Sequence, residues 1–247
     1  MTIRENTQVC PGYYRIVLDA ENLARVSCPG QFCMLKVPGA YLRRPLSIYS
    51  VSGSSVEFLY KVVGRGTGWL SGLLPGAALE VLGPLGSGYT LDDAISGGKH
   101  PLLVAGGTGI ASLNFLAERL RKPGTLFYGA KSRTELVCLD NFRKLGWKME
   151  LATDDGSTAY RGLVTDVFEN FLAGKEVNDY VLYICGPAQM IANTARIAID
   201  FELKGYVSLE EKMACGVGNC QGCAIKYKDS YRMVCKDGPV FKIEDVF

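Results

Sequence analysis

The chain has 247 residues, of which 48% are hydrophobic and 21% are charged, as in an ordinary globular protein. The net charge is only +2 and the lysines and arginines form no block, which gives no electrostatic support for a nucleic-acid partner. The first residues lack the charged-then-apolar order of a signal peptide and no uninterrupted apolar run suits a membrane span, so we expect a cytoplasmic protein without a membrane segment.

Residues 1–95 predict a β domain. Short segments rich in Val, Ile, Leu, Tyr and Phe are separated by Gly, Pro and Ser at regular intervals. This spacing is typical of an antiparallel barrel or sandwich. The predicted strands cover residues 13–20, 30–38, 44–51, 56–63 and 77–84.

From residue 96 onwards, apolar strands alternate with amphipathic helices. The first strand has no polar alternation, which is typical of a strand buried on both faces. Such alternation predicts a doubly wound parallel sheet over residues 96–205. The predicted strands are 101–107, 124–130, 147–155 and 180–187, and the predicted helices are 112–121, 135–146, 164–174 and 189–202.

The segment RRPLS, residues 43–47, is the first candidate site. Arg44 can pair with two oxygens of a diphosphate, Pro45 fixes the backbone and Ser47 offers a small hydroxyl. Taken alone, the segment fits an edge strand with solvated arginines better, because exposed arginine is the rule.

The segment VAGGTGIAS, residues 104–112, is the second candidate site. An apolar strand enters a glycine turn and then a helix, whose free N–H groups can hold a pyrophosphate. The dinucleotide fingerprint usually ends in Gly or Ala, whereas Ser112 stands here, and a packing turn without a ligand is an equal alternative. Cys185 and Gly186 end the last predicted strand and are placed to line the same site, although Cys185 can equally be structural.

The segment 206–247 predicts a third, small unit that binds an iron–sulfur cluster. Its cysteines have the spacing C-x4-C-x2-C-x11-C, which matches plant-type [2Fe–2S] centres, whereas structural zinc usually shows two C-x2-C pairs. Glycines between the ligands let backbone N–H groups point at sulfur. A zinc site and a disulfide knot are the alternatives. The four candidate ligands are Cys215, Cys220, Cys223 and Cys235.

The remaining titratable residues favour redox chemistry over hydrolysis. The single histidine, His100, disfavours general acid–base catalysis, while electron or hydride transfer relies on a cofactor. Asp154 and Asp155 are predicted first as turn residues at a strand end, and a nicotinamide-side or interface feature is the alternative. The absence of a secretory signal predicts a reducing compartment, where cysteines stay free or bind metals. The remaining cysteines are therefore predicted as small buried apolar residues: Cys10, Cys28, Cys33 and Cys138.

The order of these parts resembles the ferredoxin reductase superfamily and, within it, the electron-transfer subunits of class B dihydroorotate dehydrogenases. The resemblance covers essentially the whole chain and is most specific in RRPLSI, ATDDGS, VSLEEKMACGVGNC and VCKDGPVF. It implies FAD in the barrel, NAD in the α/β domain and a [2Fe–2S] cluster on the C-terminal unit. The residues implied for FAD are Arg44, Pro45, Leu46, Ser47, Tyr60, Lys61, Val62, Gly66 and Thr67. Those implied for NAD are Gly107, Thr108, Gly109, Cys185 and Gly186, and the four cysteines above are implied as metal ligands.

The resemblance also implies a partner and a path. The partner is an FMN-containing catalytic subunit that oxidises dihydroorotate in pyrimidine synthesis, in a heterotetramer of two plus two. Electrons then pass from FMN through the cluster and FAD to NAD⁺, and we expect a partner surface at the cluster loop that uses Met213 and Val217. The spacer before Cys235 is short compared with some relatives, and we expect a hairpin to absorb the difference.

Two alternatives remain at this point. An FAD and [2Fe–2S] subunit of a ferredoxin:NADP-type or glutamate-synthase-associated complex shares the architecture, and a zinc-binding interaction module is of a different class. NADP is not excluded, because Lys131 and Arg133 can pair with a 2′-phosphate.

Overall fold

The N-terminal region is a six-stranded antiparallel sheet in the order β1-β2-β5-β4-β3-β6. This computed structural model describes residues 1–92 and 97–247, so the predicted boundary at residues 95 and 96 lies outside the described residues. The strands are β1 (Thr2–Cys10), β2 (Tyr13–Asp19), β3 (Phe32–Leu35), β4 (Arg44–Ser52), β5 (Ser55–Lys61) and β6 (Val81–Leu85). The five predicted strands correspond to β2–β6.

The sheet closes on itself through its first strand. Thr2 forms an antiparallel bridge with Ala78, and the Ile3 N–H donates to the Ala77 carbonyl at 2.9 Å. This strand was not predicted, because its sequence TIRENTQVC is polar and shows no hydrophobic pattern. Most of its side chains are exposed in the structure. Two short helices were also not predicted: α1 (Glu21–Val26) and α2 (Arg65–Ser71).

The second region is a seven-stranded sheet in the order β10-β9-β8-β7-β11-β12-β15, parallel except for β15. The predicted parallel sheet is therefore confirmed. Its strands are β7 (His100–Gly106), β8 (Thr125–Ala130), β9 (Lys148–Thr153), β10 (Tyr160–Arg161), β11 (Tyr180–Cys185), β12 (Gly205–Ser208) and β15 (Val240–Lys242). Strand β10 at one edge, and strands β12 and β15 at the other, come from residues outside the four predicted strands.

Helices cover both faces of this sheet. One face packs on α3 (Ile110–Arg119) and α4 (Leu139–Lys144), and the other on α5 (Val164–Leu172) and α6 (Ala188–Asp200). The helix predicted at 135–146 begins only at Leu139, because Cys138 has the left-handed φ of 69°. The strand order reverses between β7 and β11, and their carboxyl ends therefore frame the crevice where ligands bind in such sheets.

The barrel and the sheet are joined by α3. Phe115 of this helix is fully buried in the barrel core, and Asn114 Nδ2 donates to the Tyr49 carbonyl at 3.1 Å. The Ser50 hydroxyl donates to Glu118 Oε2 at 2.8 Å. These contacts fix the orientation of the two regions around the crevice.

The C-terminal unit shares its core with both other regions. It contains the hairpin β13 (Ala224–Tyr227) and β14 (Ser230–Met233) and the helix α7 (Ile243–Val246). The hairpin predicted between Cys223 and Cys235 is confirmed. Both cysteines are buried in one apolar cluster with Phe32 of the barrel.

All nine cysteines are free thiols. Cys33 is buried, Cys10 and Cys138 are partly buried, and Cys28 is exposed. The prediction of a buried residue is therefore wrong for Cys28, which follows α1 in a turn at the surface. His100 begins β7, at the sheet edge opposite the crevice, where its Nε2 lies 3.2 Å from the Thr125 hydroxyl.

Candidate redox site

The glycine turn after β7 packs tightly against the end of β11. A Cβ atom on Gly109 would lie 2.2 Å from the Cys185 carbonyl oxygen, so only glycine permits this approach. Gly107 has a φ of +51° and open space around it. The turn therefore serves packing at Gly109 and leaves the backbone at Gly107 accessible to a ligand.

A cavity of about 540 Å³ lies over this turn. Gly107, Thr108, Gly109 and Gly186 line it, as the dinucleotide prediction requires. Cys185 lies behind the lining, with 2% of its surface exposed, and burial raises the pKa of its thiol to about 12.

The far end of the same cavity holds a lysine and a carboxylate. Lys131 and Asp154 line it, whereas Arg133 is not among the lining residues. Asp155 instead accepts hydrogen bonds from the backbone N–H and hydroxyl of Ser157, as predicted for a turn residue. Lys131 and Asp154 place opposite charges in this cavity, of which the ammonium would attract a 2′-phosphate and the carboxylate would repel it.

A second cavity, of about 400 Å³, opens on the barrel side. Seven of the nine residues predicted for FAD line it: Arg44, Pro45, Leu46, Ser47, Tyr60, Lys61 and Thr67. Gly66 lies behind Arg44, because a Cβ at residue 66 would lie 2.5 Å from Arg44 Nε. Val62 is turned away, and its N–H donates to the Gly12 carbonyl at 2.8 Å.

The two cavities adjoin. Lys61, Thr108 and Glu210 line both of them. At this junction Lys61 Nζ lies 2.9 Å from Glu135 Oε2, and the Tyr13 hydroxyl donates to the same oxygen at 2.9 Å. The hydrogen bond from Lys61 lowers the pKa of Glu135. A ligand in one cavity therefore lies next to a ligand in the other.

Glu210 is the carboxyl group common to the two cavities. Solvent reaches it through the cavity mouth, yet the surrounding atoms are close enough that burial raises its pKa. Cys185 interacts with it electrostatically from below. Glu210 belongs to a segment that leaves β12 at Ser208, lines the barrel-side cavity as far as Met213 and then enters the cysteine loop.

Backbone N–H groups in the cysteine loop point at sulfur atoms, as predicted. Cys215 Sγ accepts from the N–H groups of Val217 and Cys220, both at 3.4 Å, and these bonds lower the pKa of its thiol to about 6. The Gly218 N–H donates to Cys235 Sγ at 3.2 Å, and the Cys235 N–H to Cys223 Sγ at 3.4 Å. Such bonds stabilise thiolates, the form that binds iron.

The four sulfurs fall into two pairs. The side chains of Cys215 and Cys220 interact, as do those of Cys223 and Cys235. Among residues 1–92 and 97–247, no three His, Cys, Asp or Glu side chains form a site for one metal ion. A [2Fe–2S] cluster takes two cysteines on each iron, so the paired thiols fit this group.

The cysteine loop lies against the barrel. A Cβ on Gly216 would lie 2.9 Å from Met34 Cγ on β3. Met213 is 8% exposed and lines the barrel-side cavity, so the expectation that it offers apolar surface to a partner is wrong. Val217, on the outer side of the loop, is 42% exposed.

Several lining residues were not predicted from the sequence. In the barrel-side cavity these are Phe32, Glu210, Glu211 and Met213, and at the junction Tyr13 and Glu135. The sequence offered one signal, since LEEKM directly follows a strand that ends at the carboxyl edge of the sheet. Recognising that short strand would have brought Glu210 to the crevice.

Comparison with known families assigns two parts of the chain. Residues 210–247 match the iron–sulfur cluster binding domain of dihydroorotate dehydrogenase B, and residues 103–196 match the oxidoreductase NAD-binding domain. The chain is 38% identical over 241 residues to the dihydroorotate dehydrogenase B (NAD(+)) electron transfer subunit of Clostridium acetobutylicum, covering 97% of this chain and 93% of the relative. It is 39% identical to that of Caldanaerobacter subterraneus over 223 residues, 88% of this chain and 86% of the relative.

Solved structures show the same fold. A chain of an NADH-dependent reduced ferredoxin-NADP oxidoreductase, described in connection with flavin-based electron bifurcation, superposes with a TM-score of 0.89 at 26% identity, covering 100% of this chain and 89% of that one. A ferredoxin NADP⁺ reductase from Neisseria gonorrhoeae has a TM-score of 0.68 at 16% identity and covers 81% of this chain and 89% of that one, which shows the fold alone. In the described part of the chain, every helix is too short or too polar to cross a membrane.

Proposed function

The chain belongs to the family of dihydroorotate dehydrogenase B electron transfer subunits, and from that premise we propose that it carries electrons from a flavin-containing catalytic partner to NAD⁺. It is an oxidoreductase subunit whose cofactors are FAD, a [2Fe–2S] cluster and NAD. When bound, the cluster supplies single electrons, FAD links one- and two-electron steps, and NAD⁺ accepts hydride. Its place is de novo pyrimidine synthesis.

The chain's own residues would hold these groups. Arg44, packed on Gly66, presents its guanidinium to the FAD diphosphate, since planar pairing favours two phosphate oxygens. Pro45 to Ser47 and Tyr60 would flank the flavin. The open backbone at Gly107 would face the NAD pyrophosphate, and each pair of cysteines would hold one iron.

One observation carries this proposal. Two adjoining cavities share Lys61, Thr108 and Glu210, and the segment that contains Glu210 continues into the cysteine loop. A flavin, a nicotinamide and a cluster in these places are neighbours in the order that electron transfer requires. FAD in the barrel-side cavity would lie between the other two, as the converter must.

The partner would be an FMN-containing dihydroorotate dehydrogenase subunit, in a complex of two plus two chains in the cytoplasm. The outer side of the cysteine loop supports this docking place, because Val217 offers apolar surface next to exposed Cys220. Only a partner that docks there brings its own flavin near the cluster.

Anaerobic co-expression with such a catalytic subunit tests the proposal. We expect co-purification, one FAD and two irons per chain of this protein, and NADH formation from dihydroorotate that requires both chains. Purified protein that binds neither flavin nor iron, or a complex that reduces no NAD⁺, would contradict it.

A second candidate is a subunit of a ferredoxin:NADP-type complex. The TM-score of 0.89 to the NADH-dependent reduced ferredoxin-NADP oxidoreductase chain, over the whole length of this protein, supports it. Purification from native cells separates the two candidates. A partner that contains FMN and oxidises dihydroorotate favours the first, and a glutamate-synthase-like chain favours the second.

A further inference from the structure

Met213 stands between the flavin cavity and the cysteine loop. Its side chain lines the barrel-side cavity and is 8% exposed. Only Ala214 separates it in sequence from Cys215. Met213 therefore contacts the flavin cavity and is joined to the cluster ligand Cys215 through two peptide bonds.

The space around Met213 is apolar on both sides. It shares one buried cluster with Phe32, Met34, Cys223 and Cys235. Phe32 lines the flavin cavity as well, and Met34 meets the cysteine loop at Gly216. An unbranched methionine fills an irregular gap of this kind well, because its three rotatable bonds adapt to the available volume.

We propose that Met213 is a positioning residue for electron transfer, filling the gap between the cysteine loop and the flavin cavity and holding the two at a fixed distance. The proposal rests on the proposed function. At each transfer one electron moves between the cluster and the flavin, so that one is oxidised as the other is reduced, and Met213 forms and breaks no bond.

The physical reason is that the rate of electron transfer depends steeply on the medium between the two cofactors. Filled, apolar space shortens the path through bonds and contacts, and it excludes water that would reorient around the moving charge. The apolar shell around a metal site also controls solvent access and dielectric constant, and hence redox potential. An emptied gap would lengthen the path, admit solvent, or both.

The experiment compares three variants of the holoprotein. Met213→Ala empties the gap, Met213→Leu nearly preserves its volume, and Tyr231→Ala is the control, since Tyr231 also belongs to the C-terminal unit but is 72% exposed and lines neither cavity. Each is mixed anaerobically with NADH, and the reduction of flavin and then of cluster is followed by visible and paramagnetic resonance spectra. Reduction of an artificial dye that takes electrons directly from the flavin is also measured, because this reaction bypasses the cluster.

We expect Met213→Ala to slow cluster reduction several-fold while flavin reduction by NADH and dye reduction stay unchanged. Iodide should also quench the fluorescence of FAD more strongly in this variant, a readout independent of turnover. Met213→Leu and Tyr231→Ala should match the parent protein in both measurements.

Equal cluster reduction rates in Met213→Ala and the parent protein would overturn the proposal, provided both cofactors are bound. Slowing of the same size in Tyr231→Ala would also overturn it, since general disturbance of the C-terminal unit would then explain the effect. If Met213→Ala fails to retain its cluster, Met213→Gln tests the same gap with a polar side chain of similar length, and unchanged transfer and quenching there overturn the proposal. A parent protein without flavin or cluster would instead refute the proposed function.

Discussion

The ammonium group of Lys61 and the carboxylate of Glu135 meet at 2.9 Å across the junction of the barrel and the parallel sheet. Lys61 ends strand β5, while Glu135 follows β8 and is 74 residues away in sequence. The Lys61 side chain also lies over the Tyr13 ring, 4.8 Å from its centroid. This contact lies where the two cavities adjoin and links the barrel to the parallel sheet.

Glu135→Gln should remove a pH-dependent part of the stability. The pKa of Glu135 is lowered in the folded protein, so its stabilisation is complete above the ordinary carboxyl pKa and is lost as pH falls through the lowered value. The pair is partly exposed, which limits its contribution to about 1 kcal/mol or less. Urea unfolding at neutral pH and near pH 4 measures this. Asp140→Asn, in an exposed pair with Arg143, is the control, and equal pH dependence in both variants contradicts the prediction.

Arg44→Ala should weaken FAD binding. A hydrogen bond to a charged group contributes about 1.5–3 kcal/mol, which corresponds to a dissociation constant raised roughly 10- to 150-fold. Fluorescence titration of the apoprotein with FAD gives the constant. Arg43→Ala is a close control, because Arg43 pairs with Glu80 and does not line the cavity. If both variants lose the same affinity, Arg44 is not the diphosphate residue.

Cys223→Ser and Cys235→Ser should abolish the cluster and leave FAD in place. Each variant breaks the same pair of buried thiols, and the FAD cavity is lined by neither. Iron and sulfide content and the visible spectrum measure the outcome. Cys28→Ser, at an exposed thiol outside the loop, should retain full iron content. Retention of the cluster in both ligand variants would refute the assignment of these ligands.

Glu210→Gln should change how the flavin midpoint potential depends on pH. Burial raises the pKa of Glu210, so the group is neutral at low pH and becomes negatively charged only as pH rises through the raised value. A negative charge beside the flavin disfavours its reduction, so the variant should have a higher potential than the parent above that pH and the same potential below it. Spectroelectrochemical titration over pH measures this.

The neighbouring carboxyl group provides the control for Glu210. Glu211 lines only the barrel-side cavity, whereas Glu210 lines both. Other charged or titratable groups near the flavin cavity also affect the flavin potential: Arg44, Lys61, Glu135, Glu211 and Cys185. The difference in potential between the Glu210 and Glu211 variants is therefore the quantity that reports the effect of where Glu210 lies. Glu211→Gln should alter the potential less. A potential in Glu210→Gln that follows the parent at every pH would contradict the expectation.

The sequence alone indicated five strands of the barrel, four parallel strands with their helices, and the pattern of the cysteine loop. Hydrophobic periodicity reports which face of a segment is buried, and thiol spacing reports the number of ligands that one loop can supply. It did not reveal β1, whose side chains are exposed and whose pairing depends on β2 and Ala78. Nor did it reveal that Cys28 is exposed, since a single thiol carries no periodicity.

The tertiary structure alone decided which groups meet at the crevice. Glu210 joins two cavities, Met213 is buried between the flavin cavity and the cysteines, and Lys61 reaches Glu135. Each of these relationships joins different chain segments whose loops converge at the reversal of strand order between β7 and β11. Such convergence follows from sheet pairing and helix packing over the whole chain, and no local pattern of residues contains it.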